Sequence, residues 1–95
     1  MEIQRFDDVF DAIARNPAEA ASLKARADVL SAVIDQVRAW QVTQDAAAKR
    51  LGITRPRLND LLRGKIGKFS LDALVDIATA AGLNVTVVTE AHKAA

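Results

Sequence analysis

The chain predicts an all-α fold, and three observations lead there. Over most of its 95 residues, apolar side chains recur three and four positions apart. Alanine is abundant while aromatic residues make up only 4% of the chain, a balance that favours helices over sheets. Capping residues and glycines punctuate the periodic runs where helices should start and stop.

The first periodic run covers residues 3–14, with Ile3, Phe6, Val9, Phe10 and Ile13 at helical intervals and acids between them. It predicts a short amphipathic helix that breaks at Asn16 and Pro17. Asn16 is placed to cap the next helix, with Pro17 at its first position and Glu19 at its third. That helix is expected over 17–40, carrying Ala20, Leu23, Ala27, Leu30, Ile34 and Val37 as its core-facing stripe and Trp40 as a seal at its end.

Residues 43–64, TQDAAAKRLGITRPRLNDLLRG, are the most informative. Thr43 is a good N-cap for a helix over Gln44–Leu51 whose inner face is Ala47, Ala48 and Leu51. Ala48 falls where a following helix would cross, and a larger side chain would hold the two apart. Gly52 supplies a left-handed turn, Ile53 plugs the corner and Thr54 caps the next helix. Pro56 lies in that helix's first turn, where its missing N–H is not needed, and Leu58, Leu61 and Leu62 form the buried side before Gly64 ends it. Small residue, glycine, aliphatic plug and aliphatic triplet at these intervals make a helix-turn-helix.

A basic loop follows, residues 65–69, with one or two apolar anchors. Ser70 then caps a helix expected over 71–81, with Leu71, Leu74, Val75 and Ile77 facing inward, Ala78 beside them and Gly82 stopping it. Residues 83–89, LNVTVVT, are β-branched and alternating, so a short C-terminal β-strand is expected. A lone strand has unpaired backbone groups, which an identical strand from a second copy would satisfy about a two-fold axis. Leu83, Val85 and Val87 are therefore the expected dimerisation residues. The chain divides into an acidic amphipathic segment (1–16), a DNA-binding and dimerisation domain (17–89) and a flexible tail (90–95).

Composition narrows the function. With 51% of residues hydrophobic and 26% charged, the chain should fold as one domain. No apolar run approaches the roughly 18 residues of a membrane helix, and the acidic start is not a secretion signal, so a cytoplasmic location is expected. Cysteine is absent, which removes disulfides, thiolate catalysis and the usual zinc sites. His92 stands alone, and no phosphate loop, nucleophile elbow or paired-histidine motif occurs, so neither an enzyme nor a cofactor or metal protein is expected.

The net charge is only +1, but it is unevenly spread. Residues 1–20 carry two basic and five acidic groups (−3), while residues 41–70 carry seven basic and two acidic (+5). Positive charge thus coincides with the helix-turn-helix, as contact with DNA phosphates requires. With the leucines of the second helix buried, Pro56, Asn59, Asp60 and Arg63 lie outermost and Arg55 and Arg57 flank them. Arg55 is expected to read guanine and Asn59 adenine. Arg57, Arg63, Lys65 and Lys68 are expected on phosphates, and Gln44 reaches the backbone from the first helix. Asp60 would be repelled by DNA unless it orients Arg57 or Arg63, or accepts from cytosine.

Residues 22–88 resemble the Xre/Cro-type helix-turn-helix proteins that include HigA-type antitoxins. The likeness rests on patterns reading LKxRADLLxALxxxI, TQxxAAxxLGxxxPRxxDLLRGK and FSLDxLVxxxxxxGxxV, matched here by residues 23–30, 43–65 and 69–85. It implies a five-helix fold like that of the λ repressor, a homodimer formed through the C-terminal part, and repression of the protein's own operon. It also implies that the DNA-reading segment is 54–63, which adds Thr54 to the site, and that Gln44 contacts the backbone. Relatives often have glutamine before the Pro-Arg pair where this chain has Arg55, a departure that implies a different preferred base. For an antitoxin the implied partner is a small basic ribonuclease toxin of the HigB/RelE type. The acidic segment, with Phe6, Phe10 and Ile13, is the expected toxin-binding surface. A stand-alone phage-type repressor, and an interaction adaptor that does not bind DNA, stay open as alternatives.

Overall fold

The computed structural model of the protein describes residues 16–92. Among them are four α-helices, α1 (Pro17–Trp40), α2 (Gln44–Leu51), α3 (Arg55–Leu62) and α4 (Leu71–Ala80), with a 3-10 turn at Ile66–Lys68. The helix expected over 3–14, the fifth of the expected set, lies outside the described residues, as do Phe6, Phe10 and Ile13. No described helix is long and apolar enough to cross a membrane.

Helix α1 begins as its caps dictate. The Asn16 side chain accepts from the Glu19 amide at 2.8 Å, and Pro17 occupies the first turn. Its buried face is Leu23, Ala27, Leu30, Val33 and Val37. Val33 thus takes the central position expected of Ile34, which is only half-buried. Both spacings from Leu30 fit a helix, and packing against α4 decides between them. The helix ends at Gln41, which adopts a left-handed conformation (φ 53°, ψ 45°) at a cost of about 1–2 kcal/mol for a side chain with a Cβ. That reversal, followed by the Thr43 cap, aims α2 back across the domain.

Helix α4 packs along α1 and buries Leu74, Ile77 and Ala78. Leu71, expected inward, is exposed at 38%, because it begins the helix beyond the end of the core. The Gln36 side chain on α1 donates to the Ala81 carbonyl at 3.1 Å, satisfying one of the acceptors left at the end of α4. Phe69, Leu58, Leu61, Leu74 and Val33 are fully buried, and no polar or charged side chain among the described residues is buried with them. Phe69 sits on no helix, yet it is the largest side chain of this core. Trp40 is half-buried against the same cluster, with the Arg50 guanidinium 3.9 Å from its ring centroid.

The C-terminal expectation is corrected. Residues 83–92 form no strand, because ladder hydrogen bonds need a second backbone and one chain supplies none beside this segment. The alternation survives for two residues: Leu83 and Val85 pack against the core, while Asn84 and Thr86 are exposed. It fails at Val87, which is 79% exposed, next to Val88 at 80%.

Candidate nucleic-acid interface

Helices α2 and α3 are joined by a turn whose hydrogen bonds are all local. The Thr43 hydroxyl oxygen accepts from the Ala46 amide at 3.2 Å and starts α2. At its other end Gly52 takes φ 71°, so that its own amide donates to Lys49 O and the Ile53 amide donates to Ala48 O, at 3.2 and 3.0 Å. Thr54 then caps α3 through the Arg57 amide at 3.2 Å. Ala47, Ala48 and Leu51 of α2 are buried together with Leu58 and Leu61 of α3, which fixes the two helices as one unit. Leu62 is half-buried at the edge.

Burying that face turns Arg55, Asn59 and Arg63 outward, and all three are exposed. Asn59 and Arg63 line a groove of about 400 Å³ together with Gln44, Arg38, Gln41 and the apolar floor of Val37, Ala47 and Leu58. Arg55 is tied to the start of α2, its Nε donating to Gln44 Oε1 at 3.2 Å and its Nη1 to Asp45 Oδ1 at 2.8 Å. The structure therefore brings Gln44, Arg55, Asn59 and Arg63 onto one surface. Thr54 lies at its edge with its hydroxyl oxygen engaged as the cap.

The loop after α3 carries the rest of the positive charge. Lys65 and Lys68 are exposed, and their ammonium groups lie 3.4 and 3.6 Å from the two carboxylate oxygens of Asp60. Asp60 thus orients these lysines, not Arg57 or Arg63 as expected, because the loop folds back over its side of α3. Arg57 is half-buried: its guanidinium lies 4.2 Å from the Phe69 ring centroid and donates to the Lys68 carbonyl at 2.9 Å. That commitment makes Arg57 a clamp on the loop, with N–H groups at the guanidinium edge left over for a phosphate.

A family model described as a helix-turn-helix domain matches residues 13–90. The chain belongs to this family. The match spans most of the chain and covers every residue of the surface just described. No curated protein matches the chain.

The helix-turn-helix domain also uses residues that periodicity alone passes over. Arg26 on α1 donates through Nη1 to the carbonyls of Ile66 and Phe69, at 3.5 and 3.4 Å, a second hold on the loop besides Arg57. Its signal in the sequence is a charged residue beside the apolar stripe, inside the pattern of residues 23–30. Arg38 and Gln41 join the groove from the end of α1, just before the motif begins at Thr43. Asp45 gives no signal of its own, since an acid in the first turn of a helix is ordinary.

Proposed function

We propose that this helix-turn-helix protein is a sequence-specific, DNA-binding transcriptional repressor that acts as a homodimer in the cytoplasm, and that it is the antitoxin of a type II toxin-antitoxin pair that represses its own operon. The observation that carries the DNA reading is a coincidence of shape and charge. Of the +5 of residues 41–70, +4 lies on α3 and the loop after it (Arg55, Arg57, Arg63, Lys65 and Lys68 less Asp60), while Leu58 and Leu61 of α3 are buried. An exposed helix with Arg55, Asn59 and Arg63 on its outer side, flanked by Lys65 and Lys68, has the side chains that base edges and phosphates need.

Dimerisation is supported by the C-terminal segment. A groove of about 240 Å³ has Val29, Ala32, Ala78, Leu83 and Val85 as its apolar lining beside Asp28, Asn84 and Thr86, and exposed Val87 and Val88 follow in sequence. Antiparallel pairing with the same segment of a second copy would occupy the backbone groups there and cover these valines. Two copies of α3 would then address half-sites about one DNA turn apart.

The antitoxin role rests on the sequence patterns and on the −3 charge of residues 1–20. The acidic segment is suited to a basic ribonuclease of the HigB/RelE type, with Phe6, Phe10 and Ile13 as its apolar anchors. Deleting residues 1–16 is expected to abolish capture of such a toxin, encoded in the adjacent reading frame, and to leave duplex binding within about twofold. Co-purification and fluorescence anisotropy read the two outcomes separately. Toxin capture by the deleted protein would remove the assignment of this segment.

A further inference from the structure

The structure assigns Asp45 a role that rests on the DNA-reading function above: it is a positioning residue that sets sequence discrimination by holding Arg55. Two of the five N–H groups of Arg55 are occupied, Nε by Gln44 and Nη1 by Asp45, the latter at 2.8 Å. Both acceptors sit in the first turn of α2, whose start is fixed by Thr43. The guanidinium plane is therefore set by a neighbouring helix, while three N–H groups remain for a base edge. The pair is exposed, with Arg55 at 54% and Asp45 at 73%, so it lies where a duplex can meet it.

Asp45 is also an anion on a surface that phosphates approach. When the duplex offers guanine opposite Arg55, the free N–H groups bridge O6 and N7 and the carboxylate keeps its partner. When it does not, Arg55 has two options. It can stay on Asp45 and make no base contact, or it can swing to a phosphate and leave the carboxylate unpaired beside the DNA. Both raise the energy of the wrong complex more than that of the right one, which is how a repulsive group sharpens selection. A purely structural Asp45, supporting the helix dipole of α2, would affect stability but not base preference.

The test uses the full chain, duplexes it selects from a randomised pool, and the same duplexes changed at the base pair whose preference Arg55→Ala relaxes. Asp45→Ala is expected to tighten binding to the changed duplex and to lower discrimination by about two- to fivefold, the range open to an exposed ion pair. Asp45→Glu is expected to restore part of it. In an Arg55→Ala background, Asp45→Ala is expected to leave discrimination unmoved. Thermal melting follows the folding of each variant independently. An unchanged ratio in Asp45→Ala, or an equal fall in the Arg55→Ala background, overturns the role of Asp45 while leaving DNA reading in place. Failure of the wild-type chain to enrich any sequence from the pool overturns both.

Discussion

Phe69→Ala is expected to lower the free energy of unfolding by about 3–5 kcal/mol, the usual cost of emptying a fully buried aromatic site. Phe69 is 1% exposed and belongs to a core that includes Leu58, Leu61, Leu74 and Ile77. A domain of this size has a total stability on the order of 5–15 kcal/mol, so the variant should be close to unfolding at physiological temperature. Urea denaturation followed by circular dichroism measures this as a fall in midpoint with little change in slope. The loss should not stop at stability. The ring is also the surface on which the Arg57 guanidinium rests, and the Phe69 carbonyl is one of the two that Arg26 holds. Loosening it frees the loop that presents Lys65 and Lys68. Phe69→Leu, which keeps the core filled but removes the π face, is expected to weaken duplex binding more than its smaller stability loss accounts for.

The second large effect is on recognition. Arg55→Ala is expected to weaken binding to a selected duplex by about 1–3 kcal/mol and to relax preference at one base pair. Arg55 is suited to this because its guanidinium is half-exposed and oriented at two points by Gln44 and Asp45. Lys65→Ala is the contrast: it should weaken binding to all duplexes alike and reduce the salt slope by about one. Anisotropy titrations on matched and mismatched duplexes at several salt concentrations separate the two patterns. An equal loss on every sequence for Arg55→Ala would make that residue a phosphate contact.

Much of the helical part was legible because local rules and packing agree. Asn16, Thr43, Thr54 and Ser70 all cap helices through their side chains, and Gly52, Gly64 and Gly82 all adopt positive φ at helix ends. These are short-range effects, visible in a window of a few residues. The choice of Val33 over Ile34 was not legible, since helical spacing admits either and only the position of α4 selects one. The same holds for the partners of Asp60. Its neighbours on α3 suggested an arginine, but the path of the loop brings Lys65 and Lys68 to it instead.

The strand is missing from the single chain for a related reason. The β-branched alternation of residues 83–89 describes a side-chain pattern, whereas a strand is defined by a backbone partner. Within one chain the segment spends Leu83 and Val85 on the core and leaves Val87 and Val88 in solvent. The site was legible as a set of residue types but not as an arrangement. Arg57, expected on a phosphate, rests on Phe69, an aromatic face in a loop whose fold no local pattern specifies. Arg38 and Gln41 reach the groove only because the left-handed turn at Gln41 brings the end of α1 against α2 and α3.

Backbone-amide NMR during titration with a selected duplex tests the assignment of this surface most directly. The account predicts shifts concentrated at Gln44, Arg55, Asn59, Arg63, Lys65 and Lys68, weakening as salt is raised, with the outer side of α4 unmoved. Shifts centred instead on the groove between Val29 and Leu83, or none at any of the six at low salt, would contradict it.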